Sequence, residues 1–270
     1  METKKLDLGL GEYEELFMTG EERLENRLPK VQDIPLLEID DFPGHPFQVR
    51  LDMDMKELVQ SVKERGIITP VILRKKEDGR YETISGHRRR RACELAGLDR
   101  IKAEVRELSR DEAVIVMVES NLQRSTIFPS EKAFAYKMRL EAMKRQGKRE
   151  DLTSAPLAQK LKGKTARERL GEMVGESQDQ IRRYIRLTNL VPGLLEKVDE
   201  GKIALRPAVE ISYLTEQEQK SLLDAIERED RTPSYAQAIK LRKFSQEGNL
   251  RDEVILSIMQ EEKGNQKESY

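Results

Sequence analysis

The residues best suited to chemistry form an arginine run that follows a short strand and a glycine. From Ile84 to Ala92 the chain reads ISGHRRRRA. A helix that begins there offers free N–H groups and the positive end of its dipole, and both attract anions. Guanidinium groups in the first turn add forked donors that suit phosphate oxygens. The run therefore predicts a polyphosphate-binding turn, and the alternative is a solvated basic helix face.

Local patterns on both sides predict the elements that hold this turn. The segment 80–84 is short and β-branched and leaves the Asp78-Gly79 turn, which is typical of a hairpin strand. After the arginines, 92–96 supplies an apolar helical face and Gly97 a stop. A strand, a glycine turn and a basic helix start are thus expected in succession.

Three other segments stand at spacings that resemble the ParB family of chromosome and plasmid partition proteins. They read PFQVR from Pro46 to Arg50, GIITP from Gly66 to Pro70, and VESNLQR from Val118 to Arg124. The family's corresponding boxes are Pro-x-Gln-Pro-Arg, Gly-Ile-Leu-x-Pro and Glu-Asn-Leu-Gln-Arg, and its central box, Gly-Glu-Arg-Arg-x-Arg-Ala, is similar to 86–92. The resemblance runs from about residue 34 to about residue 240.

The resemblance implies a CTP pocket, with Asn121 beside Mg²⁺ because an amide oxygen is an acceptable hard ligand. It implies that nucleotide closes two protomers into a clamp on DNA. The nucleotide-binding residues that it implies are Gln48, Arg50, Gly66, Ile67, Thr69, Gly86, His87, Arg88, Arg89, Asn121, Gln123 and Arg124.

Two departures from the family pattern concern chemistry. Ser120 stands where the family has the Glu that it associates with hydrolysis, so we expect at most a slow CTPase. Glu119 is adjacent, but one step along a helix rotates a side chain by about 100°, so it would not simply substitute. His87 replaces another Glu and either tunes phosphate affinity with pH or serves as a turn residue.

A helix-turn-helix is expected after the nucleotide boxes. Thr165 and Glu168 form a capping box, Gly175 suits the turn, and Ser177 can cap a second helix with Ile181 inward. Polar and basic residues near that helix start are the types that read the major groove, although a solvated helix is the alternative. The predicted DNA-binding residues are Ser177, Gln178, Asp179, Gln180, Arg182, Arg183 and Arg186.

The sequence thus predicts an α+β ParB-like nucleotide-binding domain followed by an all-α helix-turn-helix domain. We expect a flexible tail over 1–33, the nucleotide domain over 34–124, the helical domain over 125–235 and a C-terminal tail over 236–270. Within the first domain, Ile34–Ile39 is expected as a strand and Asp54 as a helix cap. No packed C-terminal dimerisation domain is expected.

Composition agrees with a soluble, bacterial-type cytosolic regulator, and the resemblance implies association with the nucleoid. The 270 residues carry a net charge of −1, and the single Cys excludes a disulfide framework. No apolar run is long enough to span a membrane. A sulfiredoxin-like enzyme is disfavoured because Gly86 stands where the reactive Cys would precede the His-Arg pair, and a kinase would not explain the helix-turn-helix.

The expected partners follow from the resemblance. They are double-stranded DNA with a palindromic site, a second copy of the chain in a nucleotide-dependent homodimer, and a ParA-type ATPase that engages residues 4–17. No membrane partner is expected, because the leader is acidic. The alternative function is a ParB-like transcription or nucleoid-occlusion regulator without a ParA partner.

Overall fold

The computed structural model describes residues 31–122, 124, 127–150 and 165–261, which fall into two compact units. The first contains 31–42 and 49–108, and the second contains 43–48 and the described residues from 109 onward. The first is a mixed sheet with helices and the second is helical, so the predicted fold class is confirmed.

The sheet of the first unit has the strand order β1-β5-β3-β4-β2. Strand β3 runs parallel to β5 and antiparallel to β4. The side chains of Val71, Leu73, Ile101 and Ala103 alternate along β3 and β5 and are buried against two helices. The elements are β1 (Val31–Pro35), β2 (Ile39–Asp40), α1 (Met53–Arg65), β3 (Val71–Lys75), β4 (Tyr81–Ser85), α2 (His87–Ala96) and β5 (Arg100–Arg106).

Three local predictions in this unit are wrong in detail. The expected strand over Ile34–Ile39 ends at Pro35, which has no N–H to continue the ladder, and a 3₁₀ turn (Leu36–Glu38) separates it from β2. The expected tail ends earlier, because 31–33 already pair with β5. The cap of α1 is Asp52 rather than Asp54, since Asp52 is extended and accepts the Met55 N–H at 2.9 Å.

The second unit is built from helices around one large apolar core and a smaller cluster at α4–α6. Leu187, Leu194, Ile211, Leu222 and Leu241 are fully buried in the large core. The helices are α3 (Arg110–Leu122), α4 (Pro129–Glu150), α5 (Ala166–Val174), α6 (Gln178–Arg186), α7 (Pro192–Asp199), α8 (Leu205–Ile211), α9 (Glu216–Glu229), α10 (Tyr235–Gln246) and α11 (Asp252–Gln260), with a 3₁₀ turn (Leu187–Asn189) after α6.

The limits of this unit differ from the predicted domain limits. The first compact unit ends at Leu108, because α3 packs on α4. Residues 236–260 are not a tail, because they form most of α10 and all of α11. Leu241 of α10 and Ile255 and Ile258 of α11 are buried in the core. The sequence of α11 carries the apolar period of a helix with one buried face.

Several predicted elements lie outside the described residues. They are the leader with its 4–17 peptide, Gln123, and the end of the chain beyond 261. Among the helices that the structure describes, none combines the length and apolarity needed to span a bilayer.

Candidate functional site

The glycine turn at the start of α2 has the conformation that the sequence predicts. Gly86 is the N-cap of α2 with φ 99° and ψ 24°, in the left-handed region that glycine tolerates best. A Cβ at this position would lie 2.7 Å from Cγ1 of the fully buried Val71. A residue with a side chain would therefore be strained and would also displace the sheet.

This helix start is suited to an anion. Glycine has no side chain that could accept hydrogen bonds from the N–H groups of the first turn, and no side chain caps this helix start. The His87 side chain is only 6% exposed. A contact from His87 to a phosphate would therefore come from its main-chain N–H, and the buried ring favours the turn-residue interpretation.

The four arginines of α2 have different partners. Arg89 donates from Nη1 to the main-chain oxygens of Thr69 and Pro70, the latter at 2.8 Å, and burial lowers its pKa. Arg88 pairs with Asp52 at 3.1 Å. Arg90 and Arg91 both pair with Glu94, and Arg90 also pairs with Asp41.

Arg89 thus brings two of the predicted boxes together, the turn from Gly66 to Pro70 and the start of α2. Helix α1 ends at Gly66 with φ 69°, and the next residues reverse the chain toward β3. Ile67 is half-buried while Thr69 is exposed. Cys93 is fully buried on the inner face of α2, and this burial raises the pKa of its thiol to about 11, which disfavours a reactive thiolate.

The second unit holds the other nucleotide boxes. Asn121 is 3% exposed, and its Nδ2 donates to the Met117 carbonyl at 2.8 Å. That bond fixes the amide so that Oδ1 keeps its capacity as an acceptor. The Ser120 hydroxyl also donates to the Met117 carbonyl, at 3.0 Å. Glu119 forms an ion pair with Arg139 of α4 at 2.6 Å, so it is held away from the position that Ser120 occupies.

The remaining predicted residues divide between the two units. Gln48 and Arg124 belong to the second unit, where both side chains are exposed and the Arg124 guanidinium lies 5.7 Å from the Phe47 ring centroid. Arg50 belongs to the first unit and is exposed. The first unit therefore holds Arg50, the Gly66–Pro70 turn and the start of α2, and the second holds Gln48, Asn121 and Arg124.

A helix-turn-helix is present where the sequence predicts it. The capping box joins Thr165 and Glu168, and Gly175 ends α5 with φ 68°. Ser177 caps α6 by accepting the Gln180 N–H at 3.2 Å. A Cβ on Gly171 would lie 2.6 Å from the Glu176 carbonyl oxygen, so the turn packs closely on α5.

The exposed face of α6 carries most of the predicted DNA-binding residues. Ile181 is fully buried and fixes the inward face. On the outer side, the side chains of Ser177, Gln178, Asp179, Arg182 and Arg183 are exposed, and Gln180 is half-buried.

Arg186 has an intramolecular role instead. It donates to the Ser212 carbonyl at 2.7 Å and to its hydroxyl at 3.1 Å, and it lies 3.9 Å from the Tyr213 ring centroid. Arg242 covers the same ring at 3.7 Å. These contacts tie the end of α6 to α8 and α10.

The structure adds basic residues that the sequence analysis missed. A groove of about 680 Å³ is lined by Gln180 and Arg183 of α6, by Lys202 and Arg206 around the start of α8, and by Tyr235. Lys202 also pairs with Glu200 at 2.7 Å. No sequence motif marks Lys202 and Arg206, because only the packing of α8 places them beside α6.

Comparisons with known proteins agree with these two parts. The model of the ParB N-terminal domain matches residues 20–122, and that of the ParB HTH domain matches residues 150–240. The chromosome-partitioning protein Spo0J of Thermus thermophilus is 32% identical over 184 residues, which are 67% of this chain and 60% of that protein. Stage 0 sporulation protein J of Bacillus subtilis is 34% identical over 63% of this chain and 54% of that protein.

The chain spans less than two thirds of the length of these two relatives. It covers more of the nucleoid occlusion protein of Bacillus subtilis, with 31% identity over 79% of this chain and 72% of that protein. Among solved structures, a C-terminally truncated ParB from Caulobacter crescentus matches with a TM-score of 0.42 and 20% identity over 84% of this chain and 98% of that one, too low to carry a functional argument. Both family models and the 31% identical relative show that the chain belongs to the ParB family.

Proposed function

We propose that this chain is a DNA-binding partition protein that binds a palindromic duplex site and uses CTP with Mg²⁺ to close a clamp on DNA. The observation that carries the proposal is that one chain contains both a helix start suited to binding anions, at Gly86, and an exposed polar and basic recognition helix, α6. The relatives named as partition proteins support it.

The DNA interface that we propose consists of the outer face of α6 and the groove beside it. Gln178 and Gln180 stand near the helix start, where side chains reach base edges in the major groove. Arg182, Arg183 and Arg206 supply charge for the phosphate backbone. The net charge of −1 is no obstacle, because these cations are concentrated locally.

The nucleotide site that we propose uses the α2 start for phosphates. Main-chain N–H groups after Gly86 and the nearby Arg88 would hold phosphate oxygens, while Arg89 fixes the Thr69–Pro70 turn against the helix. Asn121 would ligate Mg²⁺ through Oδ1, and the ion would neutralise phosphate charge. The fit rests on the amide orientation, in which Nδ2 is already bonded to Met117.

Hydrolysis of CTP is expected to be slow or absent. Ser120 has no carboxylate, and its hydroxyl is bonded to a main-chain carbonyl. The neighbouring Glu119 is paired with Arg139 and cannot serve in its place without breaking that ion pair. A CTP turnover of about 1 per second or faster would contradict this expectation.

The partners that we propose are a second copy of the chain, in a nucleotide-dependent homodimer, and a ParA-type ATPase that engages residues 4–17. The second candidate function, a nucleoid-occlusion or transcription regulator without a ParA partner, is favoured by the nucleoid occlusion relative. Deleting residues 1–20 separates the two. An ATPase interaction that this deletion abolishes supports partition, and no interaction in either protein supports the regulator. Both functions place the protein in the bacterial cytoplasm, on the nucleoid.

The first experiment is calorimetric titration of the full chain with CTP, ATP, GTP and UTP in the presence of Mg²⁺. We expect selective CTP binding that is lost in Arg89→Ala. Arg91→Ala is the matched control, because Arg91 lies on the same helix and contacts Glu94 rather than the turn. If no nucleotide binds, the proposed clamp is wrong, and the regulator becomes the better candidate.

A further inference from the structure

Glu131, near the start of α4, accepts hydrogen bonds from two separate parts of the main chain. Its Oε1 accepts the N–H of Gln48 at 2.9 Å, and its Oε2 accepts the N–H of Phe128 at 3.1 Å. The residue is only 6% exposed. Bonds from N–H groups to a carboxylate are among the stronger hydrogen bonds, and low exposure strengthens them further.

We propose that Glu131 is a positioning residue that holds the main chain at Gln48 so that the Gln48 side chain meets the nucleotide. This inference rests on the proposed nucleotide function, because Gln48 belongs to the predicted nucleotide-binding residues. Glu131 itself touches no nucleotide in this arrangement.

The segment 43–48 is anchored next to Gln48, while the Gln48 side chain itself is exposed. Phe47 is 2% exposed, and its ring meets the His45 ring edge-on at 5.6 Å between centroids. Arg124 lies 5.7 Å from the centroid of the same ring. Glu131 then fixes the next residue by its N–H, while the Gln48 side chain remains exposed. The anchoring is thus complete without the Gln48 side chain, which stays available to a ligand.

The helix end that carries Glu131 is itself fixed. The N–H of Ser130 donates to Oδ1 of Asp199 at 2.9 Å, and its hydroxyl donates to Oδ2. Asp199 is the last residue of α7, so it supplies from another helix an acceptor that the start of α4 lacks. Because α4 also packs on α3, Glu131 and Asn121 belong to one packed group of helices. Gln48 is thereby held at a set place relative to the predicted Mg²⁺ ligand.

Helix capping alone does not account for both contacts. Glu131 is the third residue of α4, the usual place for a carboxylate that bonds back to the N-cap N–H, and this explains the contact with Phe128. The contact with Gln48 joins residues 83 positions apart. An Asp at this position keeps the negative charge near the helix start but is shorter by one carbon–carbon bond, about 1.5 Å. Glu131→Asp should therefore retain helix stabilisation and lose the reach to Gln48.

The test uses the full chain with Glu131→Asp, Glu131→Ala and the control Glu218→Ala. Glu218 is the matching capping-box residue of α9, where it accepts the Thr215 N–H at 2.8 Å, and it lies outside both proposed sites. Binding of CTP with Mg²⁺ is measured by calorimetry, amide exchange at Gln48 by NMR, and thermal stability by circular dichroism.

We expect both Glu131 variants to weaken CTP binding by about tenfold or more, as loss of a charged hydrogen bond implies. The Gln48 amide should exchange at least about tenfold faster in both, while Glu218→Ala changes neither quantity. Full CTP affinity or an unchanged Gln48 exchange rate in Glu131→Asp would overturn the proposal. If the wild-type chain binds no nucleotide, the proposed function fails as a whole. The exchange rate then decides separately whether Glu131 holds Gln48.

Discussion

Replacement of Gly86 by alanine tests the geometry at the start of α2. Two costs add at this position. The φ of 99° is unfavourable for a residue with a side chain by about 1–2 kcal/mol. The new Cβ would also lie 2.7 Å from Val71 Cγ1, and forcing an extra carbon into a packed core costs about 1–3 kcal/mol. The expected loss in the free energy of unfolding is therefore about 2–5 kcal/mol.

Gly97→Ala is the matched control, because Gly97 caps the other end of the same helix. Its φ is 76°, and an added Cβ there would meet no atom within 4 Å. This substitution should cost only the conformational part, about 1–2 kcal/mol. Urea unfolding followed by circular dichroism measures both variants, and their difference gives the steric contribution of Val71.

A double-mutant cycle identifies the contact directly. Val71→Ala removes Cγ1, so it should recover most of the steric part in the Gly86→Ala background, about 1–3 kcal/mol of favourable coupling. If Gly86→Ala costs no more than Gly97→Ala, or if the coupling with Val71→Ala is zero, the close approach inferred here is wrong.

Three further predictions address charge and chemistry. The Arg80 guanidinium beside Asp40 holds the pKa of that carboxyl well below its usual range. The ion pair therefore stabilises the folded state by up to about 1 kcal/mol at neutral pH, as expected for a partly exposed pair, and this contribution declines below about pH 4. The stability gap between wild type and Asp40→Asn in urea unfolding should narrow as the pH falls, and a constant gap would contradict this. Arg183→Ala should weaken binding to any DNA duplex and reduce the slope of log binding constant against log salt concentration by about 1. Arg186→Ala should instead lower the melting temperature of the protein and leave that slope unchanged. Ser120→Glu should raise the rate of phosphate release from CTP, because the position is exposed and adjoins Asn121. If the rate does not rise, the site lacks further groups needed for hydrolysis besides this carboxylate.

The two-part architecture and the starts of several elements could be predicted from the sequence. The signals were local ones: the capping box at Thr165, the glycines that end helices, and the short β-branched segment that forms β4. These features act within a few residues, so the sequence alone carries them. The error at Asp54 shows the limit of this reasoning, because two nearby acids compete for one cap and backbone geometry selects Asp52.

The roles of individual arginines could not be predicted in this way. Arg89 and Arg186 both resemble ligand-binding cations in the sequence, yet each donates to main-chain carbonyls of another segment. Whether a guanidinium faces solvent or a carbonyl depends on which segment folds beside it. The same applies to Lys202 and Arg206, which reach the recognition helix only through the packing of α8.

Residue types at fixed spacings encode the family boxes, the helix-turn-helix and the glycine at the start of α2. The contacts that those residues make depend on the packing of the whole chain. This packing tied the Gln48 main chain to Glu131, 83 residues later, paired Glu119 with Arg139, and buried α11 in the core. Contacts between segments remote in sequence depend on how the whole chain packs, and no local pattern encodes them.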